Sequence, residues 1–298
     1  KEGMGQIALV GLPSSGKTTF FNALTGLHMP IGNYGFTTHK PEVGMVDFSG
    51  AKIQLVDLPA IVKGSSEGKS NGKEILAIIR NADALGLIIN APTSENDYQI
   101  LETELKNAGI SLNKKKPRVH ITPSPFPGIS ITGKEHLKIP QEQLVNYLKS
   151  MNMYNVQVIL REKTNLETIA EALNEKIVYK KAIIILMKNH SSAHAWSPPN
   201  TATILWDEKM EPKKVAAELF DILDKVYVYT KKPGEAPALR VPVVLNKGST
   251  ILEVAKTVHK DIAPNLKYAK VWGSTKFEGQ RVAKSYVVQN GDVVEFYW

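Results

Sequence analysis

The stretch Gly11-Leu12-Pro13-Ser14-Ser15-Gly16-Lys17-Thr18 constrains this chain more than any other. It satisfies G-x-x-x-x-G-K-[ST] in full, with an apolar run, Gln6–Val10, before it and a helical pattern from about Gly16 to Gly26 after it. In such a loop the glycines let backbone N–H groups wrap phosphates, the lysine neutralises the outer phosphates, and the threonine hydroxyl ligates Mg2+. A strand, a phosphate loop and a helix in that order predict an α/β nucleotide-binding sheet.

The rest of the chain supplies the other strands. Val43–Phe48 and Lys52–Val56 alternate around Ser49-Gly50 and predict a hairpin. Ile61–Gly72 reads as a mobile Gly/Ser/Lys loop and Lys73–Asn81 as a helix. Leu85–Asn90, Ala182–Met187 and Thr203–Trp206 are buried strands, and Pro212 opens a helix through about Val226. Residues 98–166 are too many for a loop, so they are expected to form an inserted subdomain, with helices at Gln99–Ala108 and Gln141–Met151 and strands at Val119–Ile121 and Val156–Leu160. Tyr229–Leu239 reads as a linker. It leads to a small α+β unit: strands at Pro242–Leu245, Tyr268–Trp272 and Val293–Tyr297, and a helix at Ile251–His259. The expected domains are 1–97 with 167–237, the insertion at 98–166, and 238–298.

Composition narrows the classes. The 298 residues suit about two domains. The absence of cysteine excludes a disulfide framework and thiolate chemistry, and fits a reducing compartment. No apolar run approaches the roughly 20 residues of a membrane span, so no membrane partner is expected. The net charge of +8 is unevenly placed. Residues 1–97 carry eight Lys/Arg against nine Asp/Glu, and 167–237 carry ten of each; 98–166 carry ten against five, and 238–298 nine against five. A basic middle segment and a basic C-terminal segment, beside a near-neutral core, predict a polyanionic partner, RNA or the ribosome rather than DNA. Lys114, Lys115, Lys116 and Arg118 form the densest cluster. Lys267, Lys270, Lys276, Arg281 and Lys284 form a second, with Tyr268 and Trp272 among them.

Asp57-Leu58-Pro59-Ala60 follows the second buried strand, where a carboxylate would hold Mg2+ through water. Upstream, Thr37 and Thr38 are candidates to close on Mg2+ and the γ-phosphate, with Thr38 preferred. The segments GLPSSGKTTFFNALTG, NYGFTTHKPEVGMV, GAKIQLVDLPAIVKGSSEGKSNGKEILAIIRNAD and YAKVWGS together resemble the Obg-related DRG family of GTPases, over about Gly3 to the C-terminus. The resemblance implies a Ras-like P-loop sheet, an inserted α+β subdomain and a C-terminal TGS domain of β-grasp fold. It also implies a cytoplasmic, ribosome-associated protein that binds GTP and GDP with Mg2+ and turns over slowly. The expected nucleotide contacts are Gly11, Pro13, Ser14, Ser15, Gly16, Lys17, Thr18, Thr19, Asp57, Ala60 and Lys188. Lys17 and Thr38 serve catalysis, and Thr18, Thr38 and Asp57 the metal.

The chain departs from that pattern where the base is read. The family's Asn-Lys-x-Asp aligns with Met187-Lys188-Asn189-His190, so the carboxylate that accepts two hydrogen bonds from guanine is missing and only Lys188 survives. Such bonds are worth about 1.5–3 kcal/mol each, so a reduced guanine preference is expected. The fifth motif is degenerate at Leu205-Trp206-Asp207, with Trp206 expected in the core. Asn113-Lys114-Lys115-Lys116 and Ser191-Ser192-Ala193-His194 only mimic base-reading motifs. Ala60 replaces a glycine and should resist a left-handed backbone at a cost of about 1 kcal/mol. Ile61 stands where many switch GTPases position a water with Gln, so hydrolysis is left to positioning, metal or a protein activator. Two alternatives to a slow GTPase stay open: an NTPase with relaxed base choice that accepts ATP, and a non-catalytic RNA- or ribosome-binding scaffold.

Overall fold

The computed structural model describes residues 5–29, 40–188, 196–237, 239 and 241–298. They fall into two compact units, 1–104 with 181–298 and the intervening 105–180. The larger unit begins with β1 (Gly5–Gly11), α1 (Lys17–Thr25), β2 (Glu42–Phe48), β3 (Ala51–Asp57), α2 (Gly72–Asn81), β4 (Ala84–Asn90) and α3 (Ser94–Asn107). The smaller unit contains β5 (Ile110–Leu112), β6 (Val119–Pro123), β7 (Ile129–Thr132), α4 (Gln141–Ser150), β8 (Val156–Leu160) and α5 (Leu166–Leu173). The chain then returns through β9 (Val178–Met187) to β10 (Thr203–Trp206) and α6 (Pro212–Ile222).

In the nucleotide-fold sheet the order is β10-β9-β4-β1-β3-β2, parallel throughout except for the β2–β3 hairpin. β1 reads Gly-Gln-Ile-Ala-Leu-Val-Gly and β4 Ala-Leu-Gly-Leu-Ile-Ile-Asn, apolar on both faces, as a strand covered on both sides must be. Ile7, Leu9, Ile53, Leu55, Ile183 and Ile185 meet Phe20 and Phe21 of α1 and Val215 and Leu219 of α6. The hairpin turns through Ser49 and Gly50, both left-handed (φ 54° and 83°), which matches the strand twist. All the parallel strands end on one edge, so the loops after β1, β3 and β9 come together there.

The C-terminal part of the larger unit is a second sheet of β11 (Lys225–Lys231), β12 (Val243–Asn246), β13 (Tyr268–Trp272), β14 (Gln280–Val282) and β15 (Val293–Tyr297), ordered β12-β11-β15-β13-β14. Helices α7 (Ile251–Val258) and α8 (Ile262–Asn265) accompany it. Ile251 and Val254 of α7 pack on Val228, Val271, Val294 and Phe296. Thr250 and Glu253 form the capping box that starts α7. β11 takes the first three residues, Tyr229–Lys231, of the linker expected at Tyr229–Leu239: Val226 and Val228 alternate inward, and the strand pairs with both β12 and β15. Helix α6 accordingly stops at Ile222, short of Val226. Phe48 at the β2–β3 tip packs on Phe220 and Tyr227, and the Tyr229 hydroxyl donates to the Ser49 carbonyl at 2.7 Å.

The smaller unit has a three-stranded sheet, β6-β8-β7, covered by Leu144 and Leu148 of α4 and Ile169 of α5. Its span of 105–180 differs from the expected 98–166 because α3 runs on to Asn107 and α5 packs into this small core. Lys114, Lys115, Lys116 and Arg118 are exposed on the approach to β6. Arg118 reaches Glu162 at 3.4 Å.

Candidate nucleotide site

The loop after β1 is shaped by two positions that exclude side chains. A Cβ on Gly11 would lie 2.5 Å from Ser15 Oγ and 2.7 Å from the Ile88 carbonyl oxygen, and Gly16 is left-handed at φ 87°. Ser14 is left-handed too (φ 58°), and Ser15 N–H donates to the Leu12 carbonyl at 3.3 Å. Pro13 and Ser14 are exposed at the mouth of the turn, Thr19 is half-buried one residue past Thr18, and Ser15 is buried. α1 starts directly from the loop, so its free N–H groups and dipole face the same space, a ready anion site.

Lys17 lies inside this cradle, 7% exposed, with Nζ 3.5 Å from the Gly11 carbonyl oxygen. Burial pushes its ammonium below the ordinary lysine range, and Asp57 partly restores it. Asp57, 1% exposed at the end of β3, accepts a hydrogen bond from Thr18 Oγ1 at 2.8 Å. Burial pushes its carboxyl above the usual range, opposed by the Thr18 bond and the Lys17 charge. Asp57 Oδ1 and Ser15 Oγ are buried with no hydrogen-bond partner among the described residues. An unsatisfied carboxylate oxygen beside a threonine hydroxyl, next to an anion cradle, is a hard-oxygen donor set that fits Mg2+. Thr18 and Asp57 would hold the ion. Thr37 and Thr38 lie outside the described residues.

Beyond Asp57, Ala60 is half-buried and is not among the left-handed residues, so the expected strain of its methyl group does not arise in this conformation. Ile61 is fully buried and its N–H donates to the Gly11 carbonyl at 3.1 Å, tying the end of the β3 loop to the phosphate loop. The expected mobile loop at Ile61–Gly72 is instead two short 3-10 turns held by Glu104 of α3. The Glu104 carboxylate accepts Gly64 N–H at 2.7 Å, Ser66 N–H at 2.9 Å and Ser66 Oγ at 2.7 Å. Burial would raise its carboxyl, but these bonds outweigh burial and hold it below the usual range. A Cβ on Gly72 would meet the Ser65 carbonyl oxygen at 2.1 Å, so only glycine fits where α2 begins. Sequence reasoning missed Glu104. It is one acidic residue on an amphipathic helix, and only the fold brings it to a loop 40 residues upstream.

At the base end, Met187 closes β9 and its Cε lies 2.8 Å from the position a Cβ on Gly16 would take. Trp206 is buried and meets Phe20 of α1 edge-on at 5.4 Å, in the core as expected. Lys188 is exposed beside them. Asn189, His190 and Ser191–His194 lie outside the described residues. Asn113-Lys114-Lys115-Lys116 follows β5 in the smaller unit, with Asn113 N–H donating to the Lys180 carbonyl at 2.8 Å.

A family model described as a 50S ribosome-binding GTPase matches residues 6–123, and a TGS domain model matches residues 226–297, which takes in β11. The developmentally-regulated GTP-binding protein 2 of Homo sapiens is 32% identical over 302 residues, covering 99% of this chain and 83% of that protein. An uncharacterised GTP-binding protein of Methanocaldococcus jannaschii is 30% identical, with 99% and 78% covered. The solved structure of the Schizosaccharomyces pombe YchF GTPase shares the fold at a TM-score of 0.51 with 14% identity, covering 100% of this chain and 98% of that one. With the phosphate loop, the Thr18–Asp57 pair and both domains in place, the chain belongs to the family of developmentally regulated GTP-binding proteins.

Proposed function

We propose that the chain binds GTP with Mg2+, hydrolyses it slowly, and works in the cytoplasm on RNA or the ribosome. The observation that carries the nucleotide reading is the Thr18–Asp57 bond beside two unsatisfied buried oxygens, Ser15 Oγ and Asp57 Oδ1. Lys17 and the loop N–H groups bind and orient the phosphates, and the closed packing at Ile61 keeps water from the floor of the cradle. Thr18 and Asp57 would hold Mg2+, which when bound would supply charge neutralisation for the phosphates. Slow turnover follows from Ile61: its buried side chain cannot orient an attacking water, so the rate rests on positioning and charge, or on a protein activator. A relaxed choice between GTP and ATP is the second reading, favoured by Met187 at the base end. Phosphate release from GTP under single-turnover conditions tests the catalytic part. Slow release by the wild type and none by Lys17→Ala is expected; equal rates in the two would overturn it.

The partner reading rests on exposed charge. The Lys114–Lys116 cluster is open to solvent, and the C-terminal sheet carries a face of rings and cations. There Arg281 lies 3.8 Å over Tyr268, Lys270 5.2 Å over Tyr297, and Tyr268 stacks on Tyr297 at 4.7 Å. Phosphate contacts release counterions, so RNA affinity should fall steeply with salt. Changing Lys114, Lys115 and Lys116 to Glu should weaken binding and flatten that slope. Undiminished binding would turn the search to a protein partner.

A further inference from the structure

The end of β9 lacks the carboxylate that would read guanine, but the end of its neighbour does not. β10 runs parallel to β9 with Trp206 opposite Met187, and Lys188 N–H donates to the Trp206 carbonyl at 2.9 Å. Lys188 and Asp207 therefore leave the sheet side by side. Their charged ends are 4.0 Å apart, and both are partly exposed, at 51% and 42%. Asp207 Oδ1 accepts the Lys209 N–H at 2.9 Å, a local turn that fixes how the carboxyl is aimed and leaves Oδ2 toward Lys188. Beneath the pair, Met187 presses on Gly16 and Trp206 on Phe20, so these strand ends border the first turn of α1. In an open α/β sheet the ligand lies across the carboxyl ends of the strands. A nucleotide with its phosphates on the 11–18 loop then carries its base toward Lys188 and Asp207.

We propose that Asp207 is the guanine-reading residue of this chain, doing from β10 what the missing carboxylate would have done after β9. The proposal rests on the reading of the site as a GTP site. Its chemistry is complementary. Guanine presents N1–H and the 2-amino group as adjacent donors, which one carboxylate accepts together. Adenine presents a bare N1 lone pair there and is repelled. The alkyl stem of Lys188 covers the base while its ammonium stays in water beside Asp207.

The test is the affinity of GTP, ITP, XTP and ATP for wild type, Asp207→Ala and Asp207→Asn. Hypoxanthine lacks the 2-amino group, so wild type should favour GTP over ITP by about tenfold or more, the equivalent of one charge-assisted hydrogen bond. Asp207→Ala should bring that ratio to about one. Asp207→Asn should weaken GTP and strengthen XTP relative to Asp207→Ala, because its amide donates to the 2-carbonyl of xanthine. A GTP:ITP ratio unchanged in Asp207→Ala, or a loss shared equally by all four nucleotides, overturns the proposal. A wild type that binds GTP and ITP alike also overturns it and leaves the phosphate site standing. A wild type that binds no triphosphate overturns the GTP reading first and the role of Asp207 with it.

Discussion

The phosphate end and the base end of the site are built from different parts of the chain's chemistry. At the phosphate end the contacts come from backbone: a turn that Gly11 and Gly16 alone can make, the first N–H groups of α1, and one pair of polar side chains, Thr18 and Asp57. At the opposite end the chain offers side chains on strand ends, with Met187 and Trp206 packed as core. A backbone cradle is fixed by a few obligatory residues and tolerates no drift. A side chain at a strand end can change without disturbing the sheet, because Met187 fills the space against Gly16. The difference teaches that the phosphate cradle and the strand ends beside it answer to separate constraints in this fold.

The largest expected effect is at the phosphate end. Lys17→Ala removes the cation from a desolvated cradle, and a charged hydrogen bond of that kind is worth about 1.5–3 kcal/mol, more than one of them being lost. Triphosphate affinity should fall about a hundredfold or more, read by equilibrium binding; unchanged affinity would break the comparison at once. Met187→Leu is its counterpart at the base end. The swap conserves volume, so affinity should stay within about threefold and stability within about 1.5 kcal/mol. A large loss of binding there would mean the two ends are coupled.

Gly72→Ala comes next. The new methyl group would meet the backbone oxygen of Ser65 at 2.1 Å, so the 65–72 segment must shift, at about 1–3 kcal/mol. Thermal unfolding with and without nucleotide reads it, and an unchanged Tm would contradict the packing described. Glu104→Gln acts on the same segment, at about 1–2 kcal/mol for the lost charge-assisted bonds. The Glu104 carboxyl is depressed in the folded chain, so its contribution is fully present above the ordinary carboxylate range. It is lost as pH falls through the folded value. Faster amide exchange at Gly64 and Ser66 in the variant, with a flatter acid limb of stability, checks both signs. The smallest effect is expected for Tyr229→Phe, which loses one bond to the Ser49 carbonyl, about 1 kcal/mol, and leaves nucleotide affinity unchanged.

What the sequence disclosed follows the same division. The turn residues of the phosphate loop, the Ser49-Gly50 hairpin and the doubly buried strands β1 and β4 were legible because each is dictated locally, by a glycine or an apolar run. β11 was not legible. Its alternation, Val226-Tyr227-Val228-Tyr229, sits between a helix and a Lys/Pro/Gly stretch, and only pairing with β15, about 60 residues on, makes it a strand. Glu104 escaped for a related reason. A single carboxylate carries no spacing signal, and its role depends on which loop or strand end the fold sets beside it. Ile61–Gly72 looked mobile from its glycines, yet those glycines serve close packing against Ser65 and the loop N–H bonds to Glu104.

Calorimetric titration with GDP, GTP, ADP and ATP in the presence of Mg2+ tests the central claim most directly. The account predicts that all the bound nucleotides depend on Lys17, that removing Mg2+ weakens the triphosphates most, and that GTP leads ATP. No heat with any of the four, or binding that survives Lys17→Ala, would contradict it.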